Sequence, residues 1–206
     1  MAVMCGVPDD DGISRSLKCT ITQEINGATI TVVGYMSEEC QLSLRSMWES
    51  PFAGDSVGNA GQIDKLASVM QTQSDKTSKT QMNSDQVWEG IEPPEVSVTL
   101  KFVAYTNARI EVDLPIEYLN QMASPELLNA TPVGMSDGGV SVGGRIPDAA
   151  TFDLGRKFKA KMRISDVSFN VNAPKTQDGH YAYNTVSLTV APKSMINKSQ
   201  IPNFFF

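Results

Sequence analysis

Thr20-Ile21-Thr22-Gln23-Glu24-Ile25-Asn26-Gly27-Ala28-Thr29-Ile30-Thr31-Val32-Val33 is the stretch that decides the fold class. Asn26-Gly27 supplies two residues that tolerate positive φ, as a type I′ turn requires, and the Thr, Ile and Val on either side favour a pleated chain. The segment predicts a β-hairpin. Beyond Gly34, residues 39–48 alternate Cys40, Leu42 and Leu44 against Gln41, Ser43 and Arg45. This pattern predicts a further strand, which Pro51 stops.

Further along, Pro93-Pro94 gives a stiff lead-in to residues 95–105, where Val96, Val98, Leu100, Phe102 and Ala104 share one face. Val103 and Tyr105 make the end of this strand apolar on both sides, the mark of a core or interface strand. Thr106-Asn107-Ala108 reads as a turn into residues 109–114. Asp113 is then expected to cap a helix with Pro115 in its first turn and Ile116, Tyr118, Leu119 and Met122 along it, ended by Ser124-Pro125. In the C-terminal part Phe158, Ala160, Met162 and Ile164 alternate, and Val167, Phe169 and Val171 continue in the opposite phase. A bulge near Ser165-Asp166 would keep one face inward along a single long strand. Asp178-Gly179 marks a turn before residues 181–190, completing a second hairpin.

Residues 1–206 are thus expected to form one mainly β domain with long insertions. Residues 53–86 are a polar insertion in which Ile63, Leu66, Ala67 and Met70 have the spacing of a short amphipathic helix. Residues 130–150 form a Gly-rich loop. Residues 200–206 are an aromatic tail ending in Phe204, Phe205 and Phe206; three such rings in water invite aggregation, so the tail is expected to dock on this subunit or a neighbour. Trp48, Phe52 and Trp88 are the large aromatic anchors, read first as core residues and second as interface residues.

Hydrophobic residues make up 41% of the chain, charged residues 19%, and the formal net charge is −6. This balance argues against binding nucleic acid through a basic face. The densest cations, Arg156, Lys157, Lys159, Lys161 and Arg163, alternate with apolar residues and read as the wet face of a strand. Cys5, Cys19 and Cys40 have an odd count and no CxxC spacing, which fits plain thiols in a reducing compartment. Neither a signal peptide's apolar core nor a membrane-spanning stretch is visible.

No catalytic residue, cofactor or metal is predicted. Asp9, Asp10 and Asp11 lack calcium-loop spacing and read as a solvated N-terminal arm. Glu89, Glu92 and Glu95 would share a face only on a helix, which Pro93-Pro94 prohibits. His180 reads as a turn residue, and the Gly138–Arg145 stretch lacks the Gly-Lys-Ser/Thr ending of a phosphate loop. The chain is expected to work by assembly and not by catalysis.

Four segments, Met47-Trp48-Glu49-Ser50-Pro51-Phe52, Gln86-Val87-Trp88-Glu89-Gly90-Ile91-Glu92-Pro93-Pro94, Leu100-Lys101-Phe102-Val103-Ala104-Tyr105 and Pro115-Ile116-Glu117-Tyr118-Leu119, resemble baseplate proteins of contractile-tailed bacteriophages. The similarity is to the tube-initiator components that join the central hub to the tail tube. It implies a tail-tube-like β-sandwich or small barrel with a flanking short helix and long loops. It also implies a homo-oligomer, a hexameric ring, in contact with hub and tail-tube proteins, with DNA only as passing cargo and no membrane. The corresponding place is the virion tail, assembled in the host cytoplasm, where an acidic lumen would not retain DNA. A repeated tail-tube subunit, a tail-associated cell-wall hydrolase using two carboxylates, and a carbohydrate- or receptor-binding β module are the alternatives.

Overall fold

The computed structural model describes residues 2–8, 10–49, 86–127, 135–136, 139–140 and 144–205. Phe52, Phe206, the helix expected around Ile63 to Met70, and much of the 53–86 insertion and the 130–150 loop lie outside the described residues. The chain divides into two compact units, residues 1–43 with 93–206, and residues 44–92. In chain order the strands are β1 (Ala2–Gly6), β2 (Lys18–Ile25), β3 (Ala28–Met36), β4 (Gln41–Ser43), β5 (Ser46–Glu49), β6 (Val87–Ile91) and β7 (Glu95–Val103). After the helix α1 (Leu114–Ala123) come β8 (Glu126–Leu127), β9 (Met135–Ser136), β10 (Gly139–Val140), β11 (Gly144–Arg145), β12 (Ala150–Leu154), β13 (Phe158–Phe169) and β14 (Tyr183–Ala191). Among the described residues no helix is long and apolar enough to cross a membrane.

The protein is mainly β. The hairpin of β2 and β3 forms in the predicted register, from Lys18 opposite Tyr35 to Ile25 opposite Ala28, with Asn26 at φ 51° and Gly27 at φ 75°. Antiparallel pairing continues from β3 through β2, β12, β13 and β14 to β7. β7 then meets β3 again at Tyr35–Lys101 and Met36–Leu100, so the six strands close into an antiparallel barrel. Closure satisfies the backbone groups that an open edge would leave unpaired. β1 adds parallel to the free side of β3, and β4 adds antiparallel to β7.

The interior follows the period-2 pattern. Ile21, Val32, Val98, Leu100, Phe102, Phe152, Met162 and Leu188 are buried there. α1 buries Ile116, Leu119 and Met122 and packs on β3 and β13; full burial of such a side chain contributes about 1.5–3 kcal/mol. The expected bulge is present as a register shift between Ile164 and Asp166, after which β13 continues to Phe169. Lys159 and Lys161 lie exposed on the other face, as read from their alternation.

Several expectations need correction. Residues 39–48 are not one strand: β4 and β5 are separated by Leu44 and Arg45 and pair with different partners, and Leu42 and Leu44 are exposed. Residues 109–113 form a π-helical turn that runs directly into α1, so Asp113 has helical dihedrals and makes no capping bond. The cap is Asn107, whose Oδ1 accepts from Arg109 and Ile110 N–H. Tyr105 lies beyond β7 and is exposed, and Val103 is only half-buried, so the end of β7 is fully buried on one face only. Ala150, assigned to the loop, opens the wall strand β12. Ala2–Gly6, ahead of the Asp9-Asp10-Asp11 stretch read as a solvated arm, form β1 beside β3.

Candidate functional site

The described residues of the second unit include a two-stranded ribbon, β5 against β6, in which Trp48 stands opposite Trp88 just after a register shift at Met47. The bulge sets the two indoles as a cross-strand pair. Trp88 Nε1 donates to Ser46 Oγ at 3.0 Å, which fixes that ring. Trp48 is 55% exposed and Trp88 53% exposed, so neither is the core anchor expected first. Among the described residues of this unit no second layer covers the ribbon. Met47 and Val87 extend the exposed apolar surface.

In the other unit the C-terminal tail docks on its own chain. Phe204 stacks on Phe158 with centroids 5.8 Å apart, and Phe205 meets the same ring edge-on at 5.6 Å. Phe205 also pairs with Phe158 through its backbone while remaining exposed.

A set of hydrogen bonds pins Val7, Pro8 and Asp11 to the barrel. Val7 N–H donates to Val33 O at 2.9 Å, and Lys18 Nζ donates to Pro8 O at 2.8 Å and Asp11 Oδ1 at 2.7 Å. Tyr35 donates to Asp11 Oδ2, and its own oxygen lies 3.3 Å from that of Tyr105. The Asp11 and Lys18 side chains are 5% and 2% exposed, so this acidic residue belongs to a buried ion pair and not to a solvated arm. Desolvation pushes the Asp11 carboxyl up, but hydrogen bonds from Lys18, Tyr35 and Ile13 N–H, with the Lys18 charge, outweigh it and hold its pKa at about 2. Burial and the bond to Asp11 push the Tyr35 phenol above its ordinary range.

A folded pKa below the unfolded value of about 3.9 stabilises the fold above that value and ceases to do so as pH falls through about 2. The urea midpoint of wild type should therefore exceed that of Asp11→Asn at neutral pH, and the difference should shrink between about pH 4 and pH 2. A difference independent of pH across that window would show that the carboxylate charge is not what holds the segment.

His180 is more than a turn residue. Its Nδ1 lies 2.6 Å from Asp113 Oδ2, and Asp113 Oδ1 accepts from Tyr181 N–H at 3.1 Å, so Asp113 fastens the Asp178-Gly179 turn to the start of α1. The three cysteines are free. Burial pushes the Cys5 thiol up to about 12 and raises Cys19 as well, which keeps both protonated near neutrality. Among the described residues no group of His, Cys, Asp and Glu is placed to hold a metal ion.

Of the residues singled out from sequence, Trp48 and Trp88 come together, as do Phe204 and Phe205 on Phe158. Asp11, Lys18 and Tyr35 were not foreseen as a cluster, because their contacts join separate parts of the chain. No protein family matches the chain, and no curated protein does.

Proposed function

We propose that this chain is a structural subunit of a contractile phage tail baseplate, forming a ring that joins the central hub to the tail tube and starts tube assembly. The observation that carries the reading is the exposed, register-matched Trp48–Trp88 pair. Large aromatic side chains held rigid and half in water are characteristic of assembly contacts, where they become the dominant anchors. The closed barrel with one short flanking helix fits the architecture that the baseplate resemblance implies. The formal charge of −6 suits a passage that must not retain DNA.

Quantitative mass spectrometry of intact particles tests the reading. About six copies per particle, or a small multiple, is expected for a closed ring. A far larger number would make the chain the repeated tube subunit, and its absence from particles would defeat the structural reading. Replacing both indoles, Trp48→Ser with Trp88→Ser, should reduce incorporation into particles at least tenfold while the barrel unit's thermal unfolding stays unchanged, since removal of one hot-spot aromatic costs about 2 kcal/mol or more of binding. Normal incorporation of that variant would remove the indoles from the contact.

A further inference from the structure

Carboxylates gather beyond one end of β2, and an exposed Arg-Lys pair lies near the other. β2 spans the wall from Lys18 to Ile25, a rise of roughly 23 Å at about 3.3 Å per residue. At the Ile25 end a cavity of about 620 Å³ opens between the Asn26-Gly27 turn, the end of α1 and residues 146–148. Glu24, Glu126 and Asp148 line it, together with Gln121 and Ser124 from the negative end of the helix dipole. Gln23 lines it too and is only 7% exposed. Its Nε2 donates to Asp148 O at 2.9 Å, which fixes the amide orientation, while its Oε1 is buried and receives no hydrogen bond. Three carboxylates around one cavity are suited to a cation that brings several N–H groups at once.

The opposite end supplies that chemistry. The turn between β12 and β13 carries Arg156 and Lys157, both exposed. Gly155 and Arg156 have φ 59° and 56°. A Cβ on Gly155 would lie 2.4 Å from Ser16 O, so glycine is required, and Gly155 N–H donates to Lys18 O at 3.1 Å. Arg156 N–H donates to Asp153 Oδ1, also at 3.1 Å. Left-handed backbone favours glycine, asparagine or aspartate, so a long cation at position 156 is a conformational cost that the fold retains. The turn therefore presents two cationic side chains on a fixed backbone.

We infer that the acidic cavity of one copy receives the Arg156-Lys157 turn of a second copy, so that chains join head to tail along the direction of β2. The guanidinium donates to the carboxylates that line the cavity, and Lys157 pairs at the rim. The contact is heterologous, and the rotation between successive copies decides whether the chains close into a ring or stack. This rests on the reading that the chain assembles with copies of itself, and it names the surfaces that meet.

Sedimentation velocity of the full chain over a concentration series tests it. Reversing the turn (Arg156→Glu with Lys157→Glu) or the rim (Glu24→Lys with Asp148→Lys) should each weaken self-association at least tenfold. An equimolar mixture of the two variants should regain wild-type association, because each acidic surface again meets a basic one. Arg156→Asn separates folding from contact: asparagine tolerates left-handed backbone, so thermal unfolding should be unchanged or raised while association falls. Variants that associate like wild type, a mixture that does not recover, or a wild-type chain that remains monomeric would overturn the contact. Absence of the chain from particles, with charge-dependent association intact, would defeat the baseplate reading and leave this contact standing.

Discussion

Phe152→Ala is expected to lower the free energy of unfolding by about 3–5 kcal/mol, the range for deleting a fully buried aromatic ring. Phe152 has no exposed surface. It sits at the middle of β12, opposite Ile21 of β2 on one side and Ala160 of β13 on the other. Backbone pairing on both sides holds the strand in place, so the wall cannot collapse readily into the space left by the ring. The alanine at 160 is small and offers little to fill it. Urea denaturation gives the answer, with the midpoint falling and the slope unchanged if the barrel still unfolds as one unit. A loss below about 1 kcal/mol would mean that β12 is not a wall strand.

Glu111→Ala is expected to cost about 2–4 kcal/mol, because one buried carboxylate satisfies several main-chain donors. Glu111 is 7% exposed, and its oxygens accept from the N–H groups of Tyr105, Thr106 and Asn107, with Thr106 at 2.9 Å and Asn107 at 3.2 Å. The carboxylate gathers the end of β7 and the cap of the π-helical turn around one point. Alanine strands these donors near the core residue Val112. Glu111→Gln retains an acceptor oxygen and should lose less than half as much. Amide exchange at residues 105–107 should accelerate in the alanine variant by more than at the centre of β7. Equal acceleration at both places would show that the carboxylate supports the whole barrel and not this junction.

The parts of the fold that sequence reveals are those where local chemistry and burial agree. Asn26-Gly27 can hardly be anything but a hairpin turn between β-branched runs, and the change of phase after Ile164 has no explanation in a strand except a bulge. β12 is different. Ala-Thr-Phe-Asp-Leu has little strand preference of its own and follows Pro147-Asp148, so its extended state is imposed by two neighbouring strands. Asp113 satisfies the local rule for a helix cap, yet Asn107, six residues earlier, takes the role because Glu111 holds the preceding backbone in place. The indoles at 48 and 88 illustrate another limit: size and apolarity predict burial only where a second layer exists. Gln23 was visible only as a hairpin residue, since its unmatched oxygen depends on where Asp148 lies.

The bond from Gln23 to Asp148 bridges 125 positions of chain. Closing so long a loop is entropically slow, and a barrel whose first hairpin must wait for β12 and β13 has high contact order. During synthesis the early hairpin emerges long before the strand that lies beside it, so a ribosome-bound or truncated polypeptide has neither the acidic cavity nor the cationic turn in its finished form. Under the proposed head-to-tail contact, completion of the barrel would act as a licence for polymerisation: a chain in which β12 has not yet joined β2 could not add to a growing assembly.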